Sequence, residues 1–170
     1  MTGQATLPSA DAKAARRLLL LTPVVFALHV YEEYPAFIAW MNRRVSDPMT
    51  VESFALVNGA ALLVTLALAL TTAFAGGRPL ALALIAWLSF LMLANGTLHL
   101  LATAIDGAYA PGAISSGLLY LPYFVFAFGA CRRLGGGIRL KAALVAAALG
   151  ALPMLAQGAF VLSAGRRLLW

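Results

Sequence analysis

"LLLLTPVVFALHVYEEYPAFIAW", residues 18–40, is apolar for most of its length, yet His29, Glu32 and Glu33 stand in its middle. A helix needs about 20 apolar residues to cross a hydrocarbon layer about 30 Å thick, and the run extends through Met41. Lipid offers no partner to a free N–H or C=O, so a run this long and without alternation reads as a helix. Four similar runs follow at 51–74, 80–104, 113–131 and 142–164. Composition agrees: 62% of the 170 residues are hydrophobic and 11% charged, with mean hydropathy +0.90. Soluble domains average about 45–50% apolar and about 25% charged. The expectation is an all-α integral membrane bundle of five transmembrane helices, one domain over 16–170 behind a disordered tail at 1–15. "KAARRLLLLTPVVFAL", 13–28, has the basic start and apolar stretch of a signal peptide. The apolar character resumes after Tyr34, so the segment reads as a retained first helix.

The net charge of +6 does not point to nucleic acid. The bases sit in pairs at the ends of apolar runs: Arg16-Arg17, Arg43-Arg44, Arg132-Arg133 and Arg166-Arg167. That is how charge flanks membrane spans. With the N-terminus inside, eight of the 12 Lys and Arg fall in inner segments, which favours a cytoplasmic N-terminus in the cell (inner) membrane. The C-terminal pair argues the other way. Cys131 is alone, so no intrachain disulfide is expected.

Polar side chains share one depth. Glu33, Asn95 and Gln157 stand about 16 residues past Arg17, Arg78 and Lys141, and at about 1.5 Å per residue that is roughly 24 Å. Ser116 and Asn58 stand about as far before Arg132 and Phe74 on the descending spans. His29 lies a turn deeper and His99 a turn shallower, with Glu52, Asp106 and Tyr109 toward the outer mouth. Small polar residues such as Asn58 and Ser116 commonly pack between membrane helices. An acid or histidine inside a span is rare and points to function.

His29 stands i, i+3 from Glu32 and i, i+4 from Glu33, which puts the three on one side of a helix. Asn95 and His99 are again i, i+4. Two close carboxylates in low dielectric cannot both ionise unless a cation neutralises them. His29, Glu32, Glu33 and His99 form a plausible ligand set for zinc, iron or manganese, and Glu52 or Asp106 could bring in a second ion. Bundle di-iron proteins use paired Glu-x-x-His motifs, an order this chain lacks. A buried hydrogen-bond network without metal is one alternative, and a proton or ion pathway is another. Pro35 removes an N–H and frees the carbonyl of Tyr31, either as a simple kink or as a further ligand for a donor or cation.

"HVYEE", "NGTLH" and "YAPGAISSGLLYLP" together resemble the HXXEE-domain family, small uncharacterised bacterial polytopic membrane proteins. The resemblance covers roughly residues 20 to 165 and rests on His29, Glu32, Glu33, Asn95, His99, Tyr109, Pro111 and Gly112, with Ser115 and Ser116 where the family often carries Thr. It implies that these positions form one site and names no substrate. Pro111 and Gly112 suit the turn that starts the fourth helix, and their loop could cover the polar layer.

The leading expectation is a membrane metalloenzyme, hydrolase or oxidoreductase, acting on a lipophilic small molecule that reaches the site from membrane lipid. His29, Glu33 and His99 would hold a divalent zinc or iron ion, with Glu32 as ligand or general base. Asn95, Glu52, Asn58, Tyr109, Ser115, Ser116 and Gln157 would bind substrate or support the ligands. The alternatives are a small proton- or ion-coupled carrier using the glutamate pair as proton acceptor, and a scaffold or partner subunit. Oligomeric state is open.

Overall fold

The computed structural model describes residues 10–168, with side chains as far as Ser163. Among these residues all regular structure is helical. Five helices are long and apolar enough to cross a membrane, and the chain is an all-α bundle of that kind. They are α1 (Ala10–Glu33), α3 (Val51–Phe74), α4 (Arg78–Asp106), α5 (Ala113–Leu134) and α6 (Leu140–Leu168), with a short α2 (Ala36–Asn42) between the first two.

The first span differs from its expected bounds of 18–41. It begins by Ala10, so residues 10–15 are helical, while 1–9 of the expected tail lie outside the described residues. It ends at Glu33, because Pro35 breaks the helix instead of kinking it. The chain restarts as α2 after a cis Tyr34–Pro35 peptide. A second proline, Pro23, is absorbed. It offers no N–H to the carbonyl of Leu19, and the hydroxyl of Thr22 donates there instead at 2.6 Å. The other spans run 78–106, 113–134 and 140–168, a few residues longer than apolarity alone marks them. Arg166 and Arg167 lie outside the described side chains.

Helix α4 is the axis of the bundle; half of its apolar window is buried, against 17% for α3 and for α6. Leu84, Ile85, Leu88 and Met92 of α4 pack with Leu19 and Phe26 of α1 and with Tyr120 and Phe124 of α5. Helix α6 lies close on α4 because Gly150 meets the backbone of Ala86 and Gly158 meets Leu98, positions where any Cβ would collide. Small residues of this sort let membrane helices approach. The outer faces are apolar: Leu56, Leu63 and Phe160 are each about two-thirds exposed, as lipid-facing side chains are.

Two π-helical segments interrupt the inner spans, Ser89–Ala94 in α4 and Ser116–Tyr120 in α5. Widened turns of this kind recur at functional sites. Here one immediately precedes Asn95 and the other ends on Tyr120.

The end of the bundle is latched by a pair that the sequence disguises as flanking charge. Arg44 is 5% exposed, donates from Nη1 to the carbonyl of Trp40 at 2.8 Å and lies over the Trp40 ring, 3.8 Å from its centroid. Its Nη2 pairs with Asp106 at the end of α4. Burial draws the guanidinium below its ordinary pKa, and Asp106 opposes that shift. Asp106 is thereby engaged and stands apart from the histidines.

Candidate metal centre

His29 comes from the last turns of α1, Glu33 from its final residue and His99 from the later part of α4. All three are at most 5% exposed. One ligand atom from each lies within 4.8 Å of the other two. Nε2 of His29 is 3.5 Å from Oε1 of Glu33, and Nε2 of His99 is 3.0 Å from the same oxygen. The His99 contact is close but not aligned as a hydrogen bond, which leaves this buried nitrogen without a hydrogen-bond partner. A buried polar atom in that condition costs about 1–3 kcal/mol.

The tautomer of His29 follows from its neighbours. Ser115 Oγ donates to the carbonyl of Gly112 at 3.3 Å, so at 2.7 Å it accepts from Nδ1–H of His29. The lone pair of His29 is then on Nε2, facing Glu33, where the amide of Asn95 donates to it at a long 3.2 Å. Two imidazole nitrogens and a carboxylate thus converge, and a cation between them would engage all three. Metal-ligating histidines generally give their second N–H to an oxygen acceptor, the part Ser115 plays. The donor set fits a divalent ion with open positions: two imidazoles and a carboxylate suit zinc and suit ferrous iron.

Tyr120 was not among the expected site residues. Its ring stacks on His29 with centroids 3.9 Å apart, and its hydroxyl is buried without a hydrogen-bond partner. It lies inside the stretch "YAPGAISSGLLYLP" that carries the family resemblance, but its apolar surroundings do not single it out there. Phe37 of α2 covers His99 at 5.8 Å, so the break at Pro35 supplies a wall of the site. Gly112 closes the site from above. A Cβ there would stand 2.9 Å from His29, 3.0 Å from His99 and 3.1 Å from Glu33.

Glu32 faces elsewhere. Its Oε1 accepts from the Tyr109 hydroxyl at 2.5 Å and from the amide of Ile114 at 3.0 Å, and its Oε2 accepts from the amide of Ser115 at 2.6 Å. It caps the start of α5 and is not in the cluster of three. Glu52 is also apart, exposed in the first turn of α3. Ser116 is buried and donates to the carbonyl of Gly112 at 2.7 Å.

The remaining members of the polar layer do meet. Glu33, Asn58, Asn95 and Gln157 line one cavity of about 260 Å³, together with both histidines. Asn58 spends its Nδ2–H on the carbonyl of Phe54. Apart from the triad the walls are mainly apolar, among them Phe26, Trp40, Phe54, Phe90, Leu98 and Met154. Val57 of α3 and Gln157 of α6 line it while remaining exposed, which puts its open edge between those two outer helices. The whole site sits near one end of the bundle, where α1 and α4 finish and α5 begins.

Burial, and then the hydrogen bond to Glu32, pushes the Tyr109 phenol from 10.0 up to about 12. The raised value means that the proton, and the bond it makes to Glu32, is retained below pH 10 and lost as pH climbs toward 12. In a phenolate absorbance titration, the difference between wild type and Tyr109→Phe should show one group titrating near 12. A group titrating near 10 would mean that neither the burial of this phenol nor its bond to Glu32 persists in solution.

A family model described as "Protein of unknown function with HXXEE motif" matches residues 20–127. No curated protein and no solved structure matches the chain.

Proposed function

The chain belongs to the HXXEE-motif family, and from that premise we propose that it is a membrane metalloenzyme whose motif residues His29 and Glu33, with His99, hold one divalent zinc or iron ion. The observation that carries this reading is the convergence of three buried ligand atoms from two helices within 4.8 Å, one of them otherwise unpartnered. Such an ion, when bound, supplies a Lewis acid and an activated water or oxygen species. The chain's own contribution is to fix the two imidazoles, keep the site dry and admit substrate. The substrate is a lipophilic small molecule. The cavity exceeds the roughly 150 Å³ that accommodates benzene in a protein core, and it opens between helices whose outer faces suit lipid. Among the residues that line it Glu33 is the one acid, so a hydrolytic route finds no second carboxylate base there, since Glu32 is engaged as a cap. We place the N-terminus on the cytoplasmic side of the cell (inner) membrane, on the distribution of Lys and Arg.

A second reading uses the same atoms. Two imidazoles within 3.5 Å of one buried carboxylate are a set of groups that could take up and pass on a proton, as in a proton-coupled carrier. Metal analysis of the full chain purified in detergent separates the two. One equivalent of zinc or iron is expected in wild type, with loss in His99→Ala. A wild type that takes up neither metal, with His99→Ala as stable as wild type, would sink the metalloenzyme.

A further inference from the structure

We infer that Glu32 is a positioning residue for the metal centre: it fastens the start of α5 so that Ser115 orients His29 and Gly112 closes over the triad. The two glutamates of the motif are neighbours in sequence but about 100° apart around the helix. One therefore faces the cavity and the other faces the start of α5. Glu32 collects three donors there, the Tyr109 hydroxyl and the amides of Ile114 and Ser115, at 2.5–3.0 Å. The first turn of a helix leaves its N–H groups without intrahelical partners, and a carboxylate at that end is favoured by the helix dipole as well. The start of the 22-residue span that follows is thus fastened to the end of α1.

That point lies two contacts from the chemistry. Ser115 gives its amide to Glu32 and takes the Nδ1–H of His29 on its hydroxyl at 2.7 Å. Gly112 precedes the helix at φ 92°, and its carbonyl accepts from the hydroxyls of Ser115 and Ser116. If the cap loosens, the hydroxyl that fixes the His29 tautomer and the glycine that covers the ligands shift together. Glu32 itself touches none of the three ligand atoms and lies outside their cluster.

The binding test rests on the metal reading proposed above, and a second measurement does not. With cobalt(II) as probe and the full chain in detergent, Glu32→Ala and Ser115→Ala should each weaken binding by about ten- to hundredfold, the usual effect of losing a partner of a metal ligand. The visible spectrum at saturating cobalt should match wild type, since the ligands are unchanged. The double variant should bind about as weakly as the weaker single one, because both act through one chain of contacts. Glu32→Gln, which keeps one acceptor oxygen, should fall between Glu32→Ala and wild type. Loss of stoichiometric cobalt or an altered saturated spectrum in Glu32→Ala would make Glu32 a ligand and overturn the inference; wild-type affinity would overturn it too.

Hydrogen exchange in the metal-free protein gives the second measurement. The amides of Ile114 and Ser115 should exchange at least about tenfold faster in Glu32→Ala, since each loses its acceptor. If wild type takes no cobalt, the metal reading falls and exchange alone decides the cap. Unchanged exchange at 114 and 115 would then overturn it.

Discussion

Gly112→Val is expected to abolish metal binding while the five spans stay folded. Two effects act at this one position. Its φ of 92° belongs to the region that side chains with a Cβ avoid, at about 1–2 kcal/mol. A Cβ would also press within 3.1 Å of His29, His99 and Glu33 at once. His29 is pinned by Ser115 and the stacked ring of Tyr120, Glu33 is carried by α1, and His99 by α4 under Phe37, so they can yield only by leaving their present geometry. Overpacking of this kind costs about 1–3 kcal/mol, and an ångström of ligand displacement is enough to disable a site. Gly107→Ala provides the control. It has a similar backbone, φ 62°, but open space where the Cβ would go. It should lower the unfolding midpoint through the backbone effect and leave metal affinity at the wild-type level. Equal loss of binding in both variants would show that the loop, and not contact with the ligands, is what matters.

Glu33→Gln should change binding and stability in opposite directions. Metal affinity should fall by at least about 100-fold, beyond the ten- to hundredfold that outer partners cost, because a ligand is lost. The metal-free fold should gain about 1 kcal/mol or more, since a 5% exposed carboxylate at the end of an apolar cavity is replaced by a neutral group of its shape. Calorimetric metal titration and thermal unfolding of the metal-free chain measure the two. A residue kept at a cost to the fold is the mark of a site under functional demand. If Glu33→Gln instead destabilises the metal-free protein, the cluster is a structural network and the proposed enzyme loses its support. Unchanged metal affinity would remove Glu33 as a ligand.

The spans were legible because an unbroken apolar run of about 20 residues matches the thickness of a bilayer and exceeds what a soluble core helix can bury. Glu33, Asn58, Asn95 and Gln157, counted to one depth, line one cavity: rise per residue is nearly constant, and the six-residue π-helical segment before Asn95 alters height far less than direction. Direction around each helix was less legible. Glu32 and Glu33 look interchangeable in a motif, and only the packing of α5 against α1 assigns one to the cap and the other to the cavity. Ser116 shares the layer in height but turns toward Gly112. Tyr120 fell within the resembling stretch "YAPGAISSGLLYLP" but stood out there only as one more ring in an apolar run. Arg44 and Asp106 read as flanking and mouth charges because their pairing joins residues far apart in the chain. Pro35 was legible as an interruption but not as an end, a difference that tertiary packing decides.

The π-helical segments carry a consequence for the phase of the bundle. Each holds a surplus residue relative to a regular α-helix, and one residue corresponds to about 100° of rotation. Removing a single residue from Ser89–Ala94 would leave α4 a tidier helix and would swing Asn95 and His99 off the axis on which His29 and Glu33 wait. The same deletion in Ser116–Tyr120 would turn the Tyr120 ring away from the imidazole it supports, while Ser115 upstream stayed in place. In a chain built this way a one-residue gap in either segment is a change of site rather than of length. Hydropathy, which scores both segments as ordinary spans, is blind to it.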